Sequence, residues 1–280
     1  MPPRIHAPMP LLAGGIVNLP LLAGGTVNLP LLADGPTINL PPNASRHVQV
    51  LRLQPGDQIT LFDGNSGQWL AELTAIGRQT VSARLLAHQP LERELSTPVT
   101  LALGMPANER MDALVEKATE LGAATIAPLL CDRSVLRLAG ERAERRTAHW
   151  QAVAVAACEQ SGRNRVPQVL PPQPLRSWLA GLQTPGQQSL DQQTPGQHQP
   201  LRLVLSLGDD ALPLRTRLAG VAPATPITML SGPEGGLAPA ELAAARAAGF
   251  LPTSLGARVL RADTAPLAAL AAIAALETSA

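Results

Sequence analysis

From residue 98 onward, short apolar runs alternate with longer stretches of helical spacing. The largely apolar run at 99–103 predicts a strand, and Met111, Leu114, Val115, Ala118 and Leu121 then form a helical stripe that Gly122 closes. A strand follows at 125–130, a long helix at 141–161 ending at Gly162, and core strands at 201–207 and 227–230. Such alternation implies an α/β fold with a parallel sheet covered on both faces. Residues 46–95 have another rhythm. Apolar and β-branched residues alternate there around Pro55-Gly56 and Asp63-Gly64, with a further strand at 69–73, which predicts a small β-barrel. The expected domains are therefore 1–95 and 96–280.

Two segments interrupt the pattern. From residue 10 onward PLLAGGIVNL, PLLAGGTVNL and PLLADGPTIN follow in tandem. A period this short builds no solenoid, so the repeat reads as a duplicated segment of which one copy belongs to the domain. QTPGQ at 183–187 recurs at 193–197 in a Gln/Pro/Gly-rich stretch that reads as a loop.

The apolar run at 267–276 is far short of the ~20 residues a membrane span needs. Pro, Gly and Asn break the apolar stretch at 8–33, and only Arg4 precedes it, unlike an export signal. Cys131 and Cys158 lack metal-ligand spacing; they fit a reducing cytoplasm and read as small buried hydrophobes rather than nucleophiles. Neither a metal site nor a membrane partner is expected. The formal net charge is only +1, little for a protein that contacts phosphates. Over 132–146, Arg133, Arg137, Arg142, Arg145 and Arg146 outnumber Asp132, Glu141 and Glu144, which suits either an RNA-facing patch or a solvated helix with internal ion pairs.

The chemistry concentrates in two glycine-punctuated loops. SGPEGGL (231–237) follows an apolar run and leads into Pro239 and Glu241, a proline and a carboxylate placed as at a helix start. Gly232, Gly235 and Gly236 permit positive φ and close backbone approach, as a ligand cradle requires. Helix N-termini attract anions, yet Glu234 would repel a pyrophosphate and suits ribose hydroxyls or a cationic ligand. LGARVLRADTA (255–265) is a second such loop in the same frame.

Together these loops resemble the cofactor-binding end of the SPOUT methyltransferases. With RMDALVEKATELG (110–122), AACEQSGRNRVP (156–167), MPPRIHAP (1–8) and HVQVLRLQPGDQITLFDG (47–64), the chain is similar to the RsmE family of small-subunit ribosomal RNA uracil-N3 methyltransferases over most of its length. Ala238 stands where the family usually has a helix-capping hydroxyl, a loss of about 1 kcal/mol, and Asp263 where Glu is usual. The resemblance implies a PUA-like RNA-binding barrel over 1–95 and a SPOUT domain with a C-terminal trefoil knot over 96–280. It also implies S-adenosylmethionine as cofactor, 16S ribosomal RNA within the small subunit as partner, a homodimer, and a cytoplasmic location. Expected cofactor contacts are Leu230, Gly232, Pro233, Glu234, Gly235, Gly236, Leu255, Gly256, Val259, Leu260, Arg261, Thr264 and Ala265. On this reading a Gly235→Val side chain fills the space the ligand approaches.

The family's reaction requires the N3 imide proton of uracil to leave, and the nucleophile to lie in line with the methyl and its sulfonium. Placement supplies part of the rate; a base, or a cation beside the developing anion, supplies the rest. Arg163, just past Gly162, is the candidate cation, and Glu159 and Gln160 are candidates for orienting the base, with Glu159 alternatively a general base or a partner of Arg163. Arg261 is placed to position a phosphate or to pair with Glu234. Lys117, the only lysine, flanks the helical stripe, where its stem suits the core edge. Arg4, His6, His47 and Arg52 are the RNA-contact candidates of the first domain. Three other readings stay open: a SPOUT enzyme acting on another base or a ribose, an RNA-binding assembly factor without turnover, and a nicotinamide-dependent dehydrogenase, which would lack the GxGxxG fingerprint.

Overall fold

A computed structural model describes residues 2–9, 35–65, 67–106, 108–182 and 199–277. Residues 10–34 of the decapeptide repeat and both QTPGQ copies thus fall outside the described residues, while the end of its third unit, residues 35–39, lies within them. The chain divides into two compact units, Met1–Glu94 with Cys158–Val166, and Leu95–Ala157 with Pro167–Ala280.

The first unit comprises β1 (Arg4–His6), β2 (Thr37–Asn39), α1 (Pro42–Val50), β3 (Gln58–Phe62), β4 (Gln68–Ile76) and β5 (Val81–Gln89). Its sheet runs β1-β3-β4-β5-β2, with β1 parallel to β3 and the other pairs antiparallel. Side chains alternate as a half-buried sheet demands: Val81, Ala83 and Leu85 enter the core with Ile59, Leu61 and Leu73. Register shifts between Leu70 and Ala71 and between Leu73 and Ala75 mark bulges, which bend a sheet toward a barrel. Residues 46–50, expected to be β, belong instead to α1. Pro42 opens that helix, and Ala44, Ser45 and Val48 are buried at helical spacing. The short run of alternating polarity there satisfies both periods, and Pro42 decides between them.

The segment Cys158–Val166, expected in the second domain, groups with the first. Backbone and side chains both tie it there: the Val166 N–H donates to the Gly64 carbonyl at 3.1 Å, and Asn164 Nδ2 donates to the Leu91 carbonyl at 2.5 Å.

The second unit contains β6 (Val99–Gly104), α2 (Asn108–Glu120), β7 (Thr125–Leu130), most of α3 (Gly140–Ser161), β8 (Gln168–Val169), β9 (Gln173–Pro174) and α4 (Leu175–Gly181). Then come β10 (Leu201–Leu205), β11 (Leu212–Pro213), α5 (Leu214–Leu218), β12 (Ile227–Ser231), α6 (Pro239–Ala247), β13 (Leu251–Ser254) and α7 (Thr264–Glu277). All pairs in its sheet are parallel, in the order β11-β13-β10-β12-β6-β7-β8, with β9 also on β7. The central strands are apolar throughout because helices cover both faces. Leu101, Ala102 and Leu103 are all buried in consecutive positions of β6. After β13 the chain passes β10, and α7 packs on β12, β6 and α2. Cys131 and Cys158 are both buried, and burial pushes each thiol up to about 12, which suits apolar packing and not nucleophilic work.

Candidate cofactor pocket

The strands β10, β12 and β13 end side by side, and their C-terminal loops enclose a cleft of about 300 Å³. Carboxyl ends of parallel strands are where open α/β sheets bind ligands. Of the expected contacts, the first glycine loop brings Gly232, Pro233, Glu234 and Gly236 to the cleft, and the second brings Leu255, Val259, Leu260 and Ala265. The remaining expected contacts lie elsewhere in the loops and strand. Leu230 is fully buried in the core, and Gly235, Gly256, Arg261 and Thr264 are not in the wall. Gly235 abuts Arg133: an added Cβ would lie 3.1 Å from the Cβ of Arg133, so a valine there presses on that residue.

Sequence reasoning missed Leu205, Ser206 and Leu207, Ser231, Leu237, Leu242, Thr253, Arg258 and Ala262, which complete the wall. The signal for the first three was the end of the third apolar strand, expected to extend to 207; β10 stops at Leu205 and the chain turns into the pocket.

Close backbone packing shapes the cradle. A Cβ on Gly232 would meet the Leu237 nitrogen at 2.9 Å, and one on Gly104, the last residue of β6, would lie 2.5 Å from Pro233 Cδ and N. Gly236 is left-handed, with φ 68° and open space where a side chain would stand. The start of α6 is anchored by Glu241, which is 1% exposed. Its Oε2 accepts the Ala238 N–H and its Oε1 the Asp132 N–H, both at 2.8 Å. Ala238 itself offers no acceptor, so only the reciprocal half of a capping box is present.

These residues fit S-adenosylmethionine. Leu205, Leu237, Leu242 and Leu260 give an apolar wall for a purine, exposed loop backbone offers it hydrogen bonds, and Glu234 suits ribose hydroxyls or a cation. A volume near the lower bound for small-molecule sites matches one nucleoside-sized ligand.

The expected catalytic and RNA-contact residues form a second cluster, inside the first unit. Glu159 Oε1 accepts the His6 backbone N–H at 2.9 Å and lies 3.2 Å from His47 Nδ1. Arg4 donates through Nη2 to the Arg163 carbonyl at 3.1 Å and to Asn164 Oδ1 at 2.8 Å, through Nη1 to Gln68 at 2.5 Å, and lies over the Phe62 ring. Burial holds the His6 imidazole below its ordinary value, and burial followed by the Arg93 charge lowers Arg4. Arg163, expected beside the substrate base, is 3% exposed, and its guanidinium closes on Glu94. The reason is burial: a guanidinium out of water needs a carboxylate, and Glu94 supplies it. Arg52 is exposed and left-handed, φ 56°, and does not join these contacts. Lys117 is a surface residue bonded to Glu116 at 2.7 Å and Glu120 at 2.8 Å, contacts that push its ammonium up to about 12. Among the described residues no cluster of acidic, His and Cys side chains could hold a metal, and no helix is long and apolar enough to cross a membrane.

A parallel sheet with a ligand cleft between two glycine loops, joined to a small β unit, is the architecture of an RNA methyltransferase. Residues 93–274 match the family model of the RNA methyltransferase domain, and residues 40–86 that of the RNA methyltransferase PUA domain. The chain belongs to the ribosomal RNA small subunit methyltransferase E family. It is 36% identical over 228 residues to the Synechocystis member, covering 81% of this chain and 69% of that one. With the Bacillus subtilis member the identity is 28% over 241 residues, 86% and 90% of the two chains. Among solved structures it resembles the Neisseria gonorrhoeae ribosomal RNA small subunit methyltransferase E bound to S-adenosyl methionine, with TM-score 0.78, 34% identity and coverage of 99% and 98%. A putative methyltransferase from Legionella pneumophila in complex with the same cofactor gives TM-score 0.77, 29% identity and coverage of 99% and 98%.

Proposed function

We propose that this chain transfers the methyl group of S-adenosylmethionine to N3 of a specific uridine in 16S ribosomal RNA, acting as a cytoplasmic homodimer on the small ribosomal subunit. The observation that carries the reading is the pocket formed by the two glycine loops at the ends of β12 and β13. Gly232 to Gly236 and Leu255 to Leu260 would hold the cofactor, which when bound supplies a methyl on a sulfonium.

The chain's own residues do the rest. Leu205, Leu237 and Leu260 exclude water from the cofactor, which strengthens every charge interaction at the reacting centre. Once N3 loses its proton, the uracil anion needs a cation beside it. Arg258 lines the pocket and is exposed toward solvent, so we place it in that role; Arg163 has its guanidinium committed to Glu94. Glu159 likewise is held by His6 and His47, and its work is to secure the segment that follows α3. Arg52, exposed on the first unit, is our RNA-contact residue there.

The test is to map modified uridines in 16S ribosomal RNA from a deletion strain by reverse-transcription stops and mass spectrometry. One N3-methyluridine should vanish, return with the wild-type chain, and stay absent with Arg258→Ala. Loss of a different modification would reassign the target atom, and no loss would make the protein a binder without turnover. Sedimentation of the purified chain tests the homodimer: a monomer at all concentrations would remove it.

A further inference from the structure

Two arginines outside the pocket wall hold the loop that forms it. Arg133 donates through Nη1 to the Gly235 carbonyl at 2.9 Å, and Arg110 of α2 lies 3.6 Å from the Glu234 carboxylate. The base of the first contact is rigid. The turn after β7 is closed by the Cys131 N–H on Ser134 Oγ at 3.1 Å and the Ser134 N–H on the Cys131 carbonyl at 3.0 Å, with both residues buried. Glu241 fixes the same turn through the Asp132 N–H at 2.8 Å. Gly235 meets the Arg133 stem so closely that even a Cβ would need it to yield.

A loop with glycines at 232, 235 and 236 loses more backbone freedom on ordering than any other composition would. Unless that ordering is done in advance, the ligand's binding energy has to supply it. We propose that Arg133, and more weakly Arg110, are positioning residues that pre-form the 232–236 cradle for the cofactor. The proposal rests on the reading of this pocket as the S-adenosylmethionine site. The two contacts differ in kind. Both are exposed, but Arg133 makes a charged hydrogen bond to a neutral carbonyl, whereas the Arg110–Glu234 pair, 40% and 34% exposed, is an ion pair open to screening by salt.

Calorimetric titration of the full chain with S-adenosylmethionine tests this, with melting temperature measured in parallel. Arg133→Ala should weaken cofactor binding about tenfold, the factor one charged hydrogen bond carries. Its KM for the cofactor should rise with kcat at saturation nearly unchanged, and Arg133→Lys should recover part of the loss. Arg110→Gln should weaken binding about twofold in low salt and match wild type in about 1 M salt. Unchanged cofactor affinity in Arg133→Ala would overturn the proposal. So would a raised KM for RNA alone, which would make Arg133 an RNA contact. Should the alanine variant fail to fold, the lysine variant decides: its affinity is expected to lie measurably below wild type, by less than about tenfold, and no change would again overturn the brace. Wild-type protein that binds no S-adenosylmethionine would instead overturn the function on which the proposal rests, a result distinct from equal affinities among variants.

Discussion

Arg163 and Glu94 form a buried ion pair in the first unit: Nε of Arg163 lies 3.2 and 3.1 Å from the two carboxylate oxygens. The Arg163 side chain is 4% exposed and that of Glu94 17%. Removing one partner strands the other charge out of water, at a cost of about 3–5 kcal/mol for a fully buried pair. Glu94 keeps some solvent contact, so Glu94→Ala should destabilise by about 2–4 kcal/mol. Urea unfolding should show a lowered midpoint with S-adenosylmethionine affinity preserved, since the pocket is built from the second unit alone. An unchanged midpoint would mean that Arg163 is stabilised by something other than this carboxylate.

Two glycines near the cofactor loop should respond to alanine for different reasons. At Gly104 the added Cβ would lie 2.5 Å from ring and backbone atoms of Pro233, which cannot turn aside. Gly104→Ala should therefore displace the loop, costing about 1–3 kcal/mol of stability and more than about tenfold in cofactor affinity. At Gly236 nothing lies within 4 Å, but φ is 68°. Gly236→Ala should cost only about 1–2 kcal/mol of backbone strain. Paired calorimetry and thermal melts separate the two, and equal losses of affinity would contradict this steric account of Gly104.

Periodicity made most of the second unit legible. Strand and helix alternate there in runs long enough for one period to dominate, and GPEGG and LRADTA announce the pocket loops. What stayed hidden depends on long-range partners. Gly104 is an ordinary strand-end glycine until Pro233 is seen against it, 129 positions away in the chain being no signal at all. Arg163 reads as catalytic because it stands just past a helix end, and Glu159 because it lies in that helix's last turn beside it. Only the tertiary contacts show that Glu94, His6 and His47 occupy them. The run at 46–50 is too short for periodicity to separate strand from helix, and the deciding residue, Pro42, lies ahead of it.

Acid should loosen the first unit through His6. Burial, the largest influence, holds its imidazole below 6.5, although the Asp63 carbonyl and the charges of Glu159 and Asp63 pull the other way. The unfolded chain therefore takes up a proton at a higher pH than the folded one does. The stability this residue lends is complete above about pH 6.5 and is lost as pH falls through the lower folded value. His88 is lowered by burial as well and acts in the same direction. Melting temperature should thus fall as pH drops below about 6.5. In His6→Asn the dependence of stability on pH should flatten by no more than about 1.4 kcal/mol per pH unit, the most that one titrating group contributes. A variant with the wild-type slope would show that other groups govern the acid limb.

The start of α6 offers a stabilising change. Ala238 sits at the N-cap with φ −66° and ψ 154°, the extended conformation a capping residue adopts, but it has no side-chain acceptor. Glu241 already reaches back to the Ala238 N–H at 2.8 Å, so a hydroxyl at 238 would complete the reciprocal pair. Ala238→Ser should stabilise the second unit by about 1 kcal/mol without altering the pocket, because Ala238 is not in its wall. Glu241→Ala should do the opposite and more. It leaves the N–H groups of Ala238 and Asp132 without their acceptor, at about 1–3 kcal/mol for each that stays buried, and frees the turn that carries Arg133. The double variant Ala238→Ser with Glu241→Ala distinguishes a helix cap from a tertiary anchor. If capping were the whole effect, serine would restore most of the lost stability. If the Asp132 contact matters as argued, serine restores only the cap, and both unfolding midpoint and cofactor affinity stay below wild type.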